Sequence, residues 1–161
     1  MEELNLYDNS GKLLERTIVR GDKNLKDCEN IKLTVVWLQS KDKFLIQKCS
    51  VQKGGEFAVT GGHVSRGNTS SQQAVIEVYE ELGLTIEENK LKFLGNIFRP
   101  HAIFDIYLYL DDNLMDKPIT LQKEEVENFC WLTKPEIISL IDQGKMRASS
   151  SENFLKFIYK S

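Results

Sequence analysis

Residues Gly62 to Leu84 read GHVSRGNTSSQQAVIEVYEELGL, and the second half of that stretch carries Glu77, Glu80 and Glu81. In a helix those three carboxylates stand at i, i+3 and i+4, sharing one face about one turn apart. Like charges so spaced repel, by roughly a few tenths of a kcal/mol per pair. A hard divalent cation offsets that repulsion, and Mg²⁺ takes one or two carboxylates together with water and phosphate oxygens. A solvated acidic face is the bland alternative, since the chain is 28% charged.

The flanking residues fix the element. Thr69 followed by Gln72 has capping-box spacing and predicts the helix start. Val75, Val78 and Leu82 form an apolar stripe at helical spacing, and Gly83 supplies a left-handed stop. Before the helix, Gly61 and Gly62 predict a tight turn whose backbone approaches a ligand closely. No G-x4-G-K-[ST] phosphate loop occurs anywhere.

This stretch resembles the Nudix box, G-x5-E-x7-R-E-U-x-E-E-x-G-U with U a bulky aliphatic residue. Gly62, Glu77, Val78, Glu80, Glu81, Gly83 and Leu84 match at the family spacing, over about a seventh of the chain. Two positions depart: Asn68 stands at the first acidic position and Ile76 at the arginine position. In the family those two side chains usually pair, and the arginine helps orient the glutamate after it. Here both are replaced together, which leaves Glu77 without a cationic neighbour.

The resemblance implies metal-dependent hydrolysis of a nucleoside diphosphate linked to another moiety, with Mg²⁺ or Mn²⁺ as cofactor. It implies Glu80, Glu81 and the Gly61 carbonyl as metal ligands, and Glu77 as ligand or base. Glu77 and Glu81 are thus also candidates for catalysis. A further base often comes from a later loop, where Glu125 fits best, flanked by Glu124 and Glu127. The resemblance also implies an α/β (α+β) fold, a Nudix-type α/β/α sandwich with a central mixed β-sheet.

The rest of the chain agrees with a layered domain spanning residues 1–161. A β-hairpin is predicted over 1–20, around the turn Asp8-Asn9-Ser10-Gly11. Ile31–Leu38 reads as a strand buried on both faces, with Lys43–Lys48 pairing to it, and Phe57–Thr60 as a short strand. Lys92–Phe98, Ile103–Leu110 and Val126–Leu132 are further strands. Alternation in IFDIYLYL places Phe104, Ile106, Leu108 and Leu110 on one face and Ile103, Asp105, Tyr107 and Tyr109 on the other, the latter expected to line a cleft. Thr133 and Glu136 cap a helix at about 134–143, with Pro135 in its first turn. Ser149 and Glu152 suggest a cap for a final helix at about 150–160, with Phe154, Phe157 and Ile158 as its apolar stripe.

Arg99 and His101 lie where a strand connection approaches the cleft, and an arginine fork suits phosphate. His63 follows the box glycine and is a second candidate phosphate contact, with Tyr107 or Phe57 available to stack on a base. Trp37 and Trp131 read as core. For each of these the alternative is a surface or structural role.

With 161 residues, 41% of them apolar, the chain can build a core, and its formal net charge of −3 argues against binding a nucleic acid polymer. No apolar run is long enough for a membrane span, and the start lacks the pattern of a secretory signal. Cys28, Cys49 and Cys130 are widely spaced and odd in number, so they offer neither a zinc pair nor a disulfide framework. A cytoplasmic protein acting on a small-molecule diphosphate, and able to form a homodimer, is the expectation.

Two other functions compete. The opening NLYDNSGKLLERTIVRG resembles the isopentenyl-diphosphate-isomerase-like subgroup, whose isomerase needs a cysteine just before the box. This chain has Thr60-Gly61-Gly62-His63 there, with Cys49 the nearest thiol. A non-catalytic binding or regulatory module is the other reading, kept open by Asn68 and Ile76.

Overall fold

Strand β3 (Ile31–Ser40) forms the spine of the fold. In the computed structural model, which describes Met1–Ser161, its β-branched and aromatic run is buried from Thr34 to Leu38. Such a run lacks a polar face, so both faces must be covered. One edge of β3 pairs in parallel with β8 (Ala102–Leu110), register Val35↔Ile106. The other edge is shared. Its first half pairs antiparallel with β6 (Thr60–His63), and its end with β4 (Lys43–Cys49).

Around that spine, β4 takes β5 (Phe57–Ala58) on one edge and β9 (Val126–Thr133) on the other. Strand β7 (Lys92–Arg99) closes the sheet beyond β8. The result is a seven-stranded mixed sheet, while β1 (Glu3–Tyr7) and β2 (Leu13–Val19) form a separate hairpin. The predicted strands thus form, and the expected mixed sheet between helices is the observed architecture.

Helix α1 (Ser70–Leu82) covers one face. It buries Ala74, Val78 and Leu82 against Val36, Leu38, Tyr107 and Tyr109. Helix α2 (Lys134–Asp142) and helix α3 (Ala148–Asn153) cover the other. Ile137, Phe154 and Ile158 meet Val35, Trp37, Phe44 and Ile106 there. Trp37 is a core residue, and Trp131 packs half-buried against the α1-side cluster. Each fully buried large side chain of this kind contributes on the order of 1.5–3 kcal/mol of transfer free energy.

The third cap reads differently from expectation. Helix α3 begins at Ala148, with Arg147 at the N-cap making no side-chain capping bond, and runs on into a π-helical turn, Phe154–Ile158. The cause is tertiary. Phe57 N–H donates to the Lys145 carbonyl and Arg147 N–H to the Phe57 carbonyl, so the chain is held extended through Arg147 and turns helical at once. Ser149 therefore lies inside the helix rather than at its cap.

Candidate active site

Helix α1 is pinned at both ends. The Thr69/Gln72 capping box forms in full, and Gly83 takes the left-handed conformation at φ 67°. At its first turn, Ser70 Oγ donates to Asp105 Oδ2 at 2.6 Å and meets the Tyr107 hydroxyl at 2.6 Å. Asp105 also receives Asn96 Nδ2 at 2.6 Å and ion-pairs with the mostly buried Lys32 at 3.2 Å. This buried network ties the acidic helix to β8 and sets the height of its carboxylates over the sheet.

The predicted turn at Gly61-Gly62 is a strand instead. Gly61 faces Val35 and Gly62 faces Thr34 in the β3–β6 ladder. Glycine is required here for closeness rather than for turning. A Cβ on Gly61 would stand 2.6 Å from the Thr34 carbonyl oxygen, and one on Gly62 would stand 2.3 Å from Glu77 Oε1. The Glu77 carboxylate therefore lies directly against the bare β6 backbone.

Each inner glutamate is held by an amide. Gln73 Nε2 donates to Glu77 Oε1 at 2.9 Å, while Gln73 Oε1 accepts from Asn68 Nδ2 at 3.0 Å and from the Ser65 amide at 3.1 Å. Gln47, buried on β4, donates to Glu81 Oε1 at 3.0 Å and to Thr60 Oγ1 at 2.6 Å. Asn68, at the family's first acidic position, thus reaches Glu77 through Gln73. Ile76, at the arginine position, is exposed at the cavity edge.

Electrostatics follow from that geometry. Burial pushes the Glu77 carboxyl up to about 7, with the Gln73 bond opposing and Glu80 adding repulsion. Burial likewise pushes Glu81 up to about 8, with the Gln47 bond opposing and Glu77 adding. Glu80 is exposed. No three His, Cys, Asp or Glu side chains converge as a ready-made cage, and Glu77 and Glu81 are each bonded to a glutamine amide. The donor set nonetheless fits a hard divalent ion. A half-buried Glu77 and a buried Glu81 with no ion-pair partner are costly when ionised, and Mg²⁺ needs only one or two carboxylates alongside waters and phosphate.

Gly61, His63, Glu77, Glu80 and Glu125 line one cavity of about 230 Å³, into which Arg20 and Glu2 also reach. Glu81 lines an adjoining cavity with Gln47, Cys49 and Glu125. Glu125 is common to both, and Lys53 Nζ stands 3.6 Å from its Oε1. His63 carries no hydrogen-bonded partner and is held below its usual pKa, first by burial and then by Arg20.

A family profile described as the NUDIX domain matches residues 31–154, the span from β3 into α3. The chain belongs to the Nudix hydrolase family. An uncharacterized Nudix hydrolase of Listeria innocua is 31% identical over 152 residues, covering 90% of this chain and 88% of that one. A Listeria monocytogenes Nudix hydrolase, also uncharacterized, matches with the same identity and coverage. The crystal structure of DR0079 from Deinococcus radiodurans superposes with a TM-score of 0.77 at 19% identity, over 98% of this chain and 99% of that one. A Francisella tularensis bifunctional NMN adenylyltransferase/ADP ribose pyrophosphatase, complexed with AMP and a Mn ion, has a TM-score of 0.63 at 17% identity. That likeness covers 78% of this chain and 40% of the other.

Three expected site residues, Tyr107, Arg99 and His101, lie outside this Nudix acidic cavity. Tyr107 is buried under α1, its hydroxyl on Ser70 and its ring against Phe93. The odd-numbered residues Asp105, Tyr107 and Tyr109 of β8 face α1, while Phe104 and Ile106 lie on the α2 and α3 side. Arg99 lines a different cavity, beside α3, with its guanidinium on Glu152. His101 serves the β7–β8 turn at φ 62°, its Nδ1 against the Glu29 carbonyl. Gln47, Gln73, Lys53 and Arg147 were not singled out from sequence. A lone glutamine inside the apolar run KFLIQK was the available signal for Gln47.

Proposed function

We propose that this Nudix pyrophosphohydrolase is metal-dependent and cleaves a nucleoside diphosphate linked to another moiety. The observation that carries the reading is the geometry of the half-buried Glu77 and the buried Glu81, which converge beside the Gly61 backbone, each bonded to a glutamine amide and to no cation. Glu77, Glu80 and Glu81 would hold Mg²⁺ or Mn²⁺, with the Gly61 backbone beside them. A bound cation would neutralise diphosphate oxygens and lower the pKa of water. The Mn-bound Francisella relative supports that choice of cofactor class.

The chain's own groups divide the remaining work. Glu125 lines both cavities and is free on one side to accept a proton from the attacking water. Water oxygen bonds to phosphorus, the bridging P–O bond breaks, and the bridging oxygen leaves with the departing phosphoryl group. Burial raises the Cys49 thiol above its usual pKa, which gives thiol-based isomerisation no support.

The test is hydrolysis of a panel of nucleoside diphosphate derivatives with Mg²⁺ or Mn²⁺, against a Glu80→Gln, Glu81→Gln double variant of unchanged Tm. The reading requires metal-dependent turnover that the double variant loses by about 10³-fold or more, the scale of losing a principal electrostatic group. Equal metal binding by parent and variant, with no turnover by either, would mark the acidic face as scaffold.

A further inference from the structure

The hairpin β1–β2 lies apart from the main sheet, yet it delivers two charged side chains into the acidic cavity. Glu2 immediately precedes β1 and Arg20 immediately follows β2, at the open end of the hairpin. The Arg20 N–H donates to the Glu2 carbonyl at 2.9 Å, which fixes the two residues opposite each other. Their side chains then meet, Arg20 Nη1 lying 3.2 Å from Glu2 Oε1. The second carboxylate oxygen, Glu2 Oε2, accepts from Ser65 Oγ at 2.9 Å. Ser65 is held for this by its bridge to Leu4, and the Arg66 N–H beside it donates to the Glu3 carbonyl at 2.9 Å.

Glu2 is thus bound as a foreign anion would be, one oxygen on a guanidinium and the other on a hydroxyl. The place is a wall of the cavity that Glu77, Glu80 and Glu125 also line, and Arg20 is the only lysine or arginine there. Three carboxylates outweigh one divalent cation, so a diphosphate entering beside them needs a further positive group. A guanidinium fork meets phosphate oxygens two at a time. Its present partner is easily displaced: the Arg20 and Glu2 side chains are 51% and 40% exposed, and an ion pair so exposed adds little stability. A phosphate group brings more charge and more acceptor oxygens than a carboxylate, and so outcompetes Glu2 for the same donors. Both residues precede the span that the family profile matches, which begins at residue 31, so the pair is an addition to the shared domain.

We propose that Arg20 and Ser65 form a phosphate subsite at the lip of the acidic cavity, which Glu2 occupies as an internal anion until the substrate displaces it. This rests on the hydrolase reading above and adds a rule of admission to the same site. While the cavity is empty, Glu2 keeps the guanidinium at the lip instead of letting it collapse onto Glu77 or Glu125. Entry then requires a group more highly charged than a carboxylate. Sugars, alcohols and simple carboxylic acids do not meet that requirement, and phosphate groups do.

The experiment titrates the full chain with inorganic pyrophosphate in the presence of Mg²⁺, for the parent, Glu2→Gln, Arg20→Met and the double variant. Glu2→Gln should tighten binding about three- to tenfold. Arg20→Met should weaken it about tenfold or more, the scale of one charge-assisted hydrogen bond. In the double variant the gain from Glu2→Gln should shrink below about twofold, because the donor over which Glu2 competes is gone. A gain that persists there is general relief of negative charge and overturns the proposal, as does a Glu2→Gln chain that binds no tighter than the parent. Glu3→Gln supplies the control, since Glu3 pairs with Arg66 instead. It should change binding by less than about twofold, and a gain equal to that of Glu2→Gln is equally fatal. Binding that obeys this cycle, with no turnover of any diphosphate derivative, would sink the hydrolase reading and leave the subsite standing. Turnover with pyrophosphate binding indifferent to both residues would do the reverse.

Discussion

Gly62 and Glu77 are in contact so close that the glycine's missing side chain is the space the carboxylate fills: a Cβ there would lie 2.3 Å from Oε1. Its neighbour Gly61 is constrained by backbone instead, since a Cβ would lie 2.6 Å from the Thr34 carbonyl oxygen. The two substitutions should therefore separate. Gly62→Ala displaces the end of a flexible side chain, so Tm should move by no more than a few degrees while metal affinity and turnover fall by about 100-fold. Gly61→Ala strains the β3–β6 ladder and should cost about 1–3 kcal/mol in urea unfolding. Equal stability losses in the two variants would refute the distinction.

The Asn68–Gln73–Glu77 relay should act as the orienting device that a charged pair supplies in relatives. Gln73→Leu removes the bond that opposes the burial-raised pKa of Glu77. Turnover should fall by about 10–100-fold. A merely structural role would leave the pH profile in place; here the acidic limb should move to higher pH, and restoring an amide with Gln73→Asn should not fully recover it because the reach is shorter.

In metal-free buffer, stability should decline toward alkaline pH. Glu77 and Glu81 hold protons more tightly folded than unfolded, so their stabilisation is complete below about pH 4.5 and is lost as pH rises through about 7 and about 8. His63, held below 6.5, acts in the opposite direction at lower pH, so the comparison belongs between pH 6.5 and 9. The loss should be on the order of 2 kcal/mol, roughly 4–8 °C in Tm at this chain length. Added Mn²⁺ at pH 9 should restore it, and Glu81→Gln should flatten the metal-free profile. A flat parent profile would contradict the burial of these carboxylates.

Asp105→Ala should be among the most destabilising single changes. It strands Lys32, itself only 12% exposed, and unties Ser70 and Asn96. Breaking one side of a buried pair costs about 3–5 kcal/mol. Chemical denaturation of the variant checks this, and a Lys32→Met, Asp105→Leu double variant should recover most of the loss.

What the sequence disclosed and withheld has a common cause. The Thr69/Gln72 cap, the Gly83 stop and the glutamate face are local features, written within a few residues of where they act, and all three helix features appear in the structure. The Gly61-Gly62 segment looked like a turn because glycine pairs usually serve turns; here the demand came from Glu77 and Thr34, distant in sequence. Alternation along β8 separates two faces without saying which one a helix will cover, so Tyr107, expected at the cleft, lies under α1 instead. Gln47, Gln73 and Arg147 gain meaning only when β4, α1 and α3 meet, and nothing in their own neighbourhoods announces it.

The three-way pairing of β3 also sets the timing of assembly. Its partners β4, β6 and β8 all follow it in the sequence, and the most extensive, β8, ends at Leu110. During synthesis the apolar strand Ile31–Ser40 is therefore complete some seventy residues before its parallel neighbour, and Glu125 and β9 emerge later still. Non-local pairing of this kind is slow and leaves a sticky edge exposed in the interval. The glutamate-bearing helix α1 can form early on its own caps, but it has no finished sheet to stand on until the chain has passed Thr133. Truncations short of that point should yield insoluble chains rather than weakened enzymes, and a growing polypeptide of this sequence leans on chaperones most heavily while its future active site is half made.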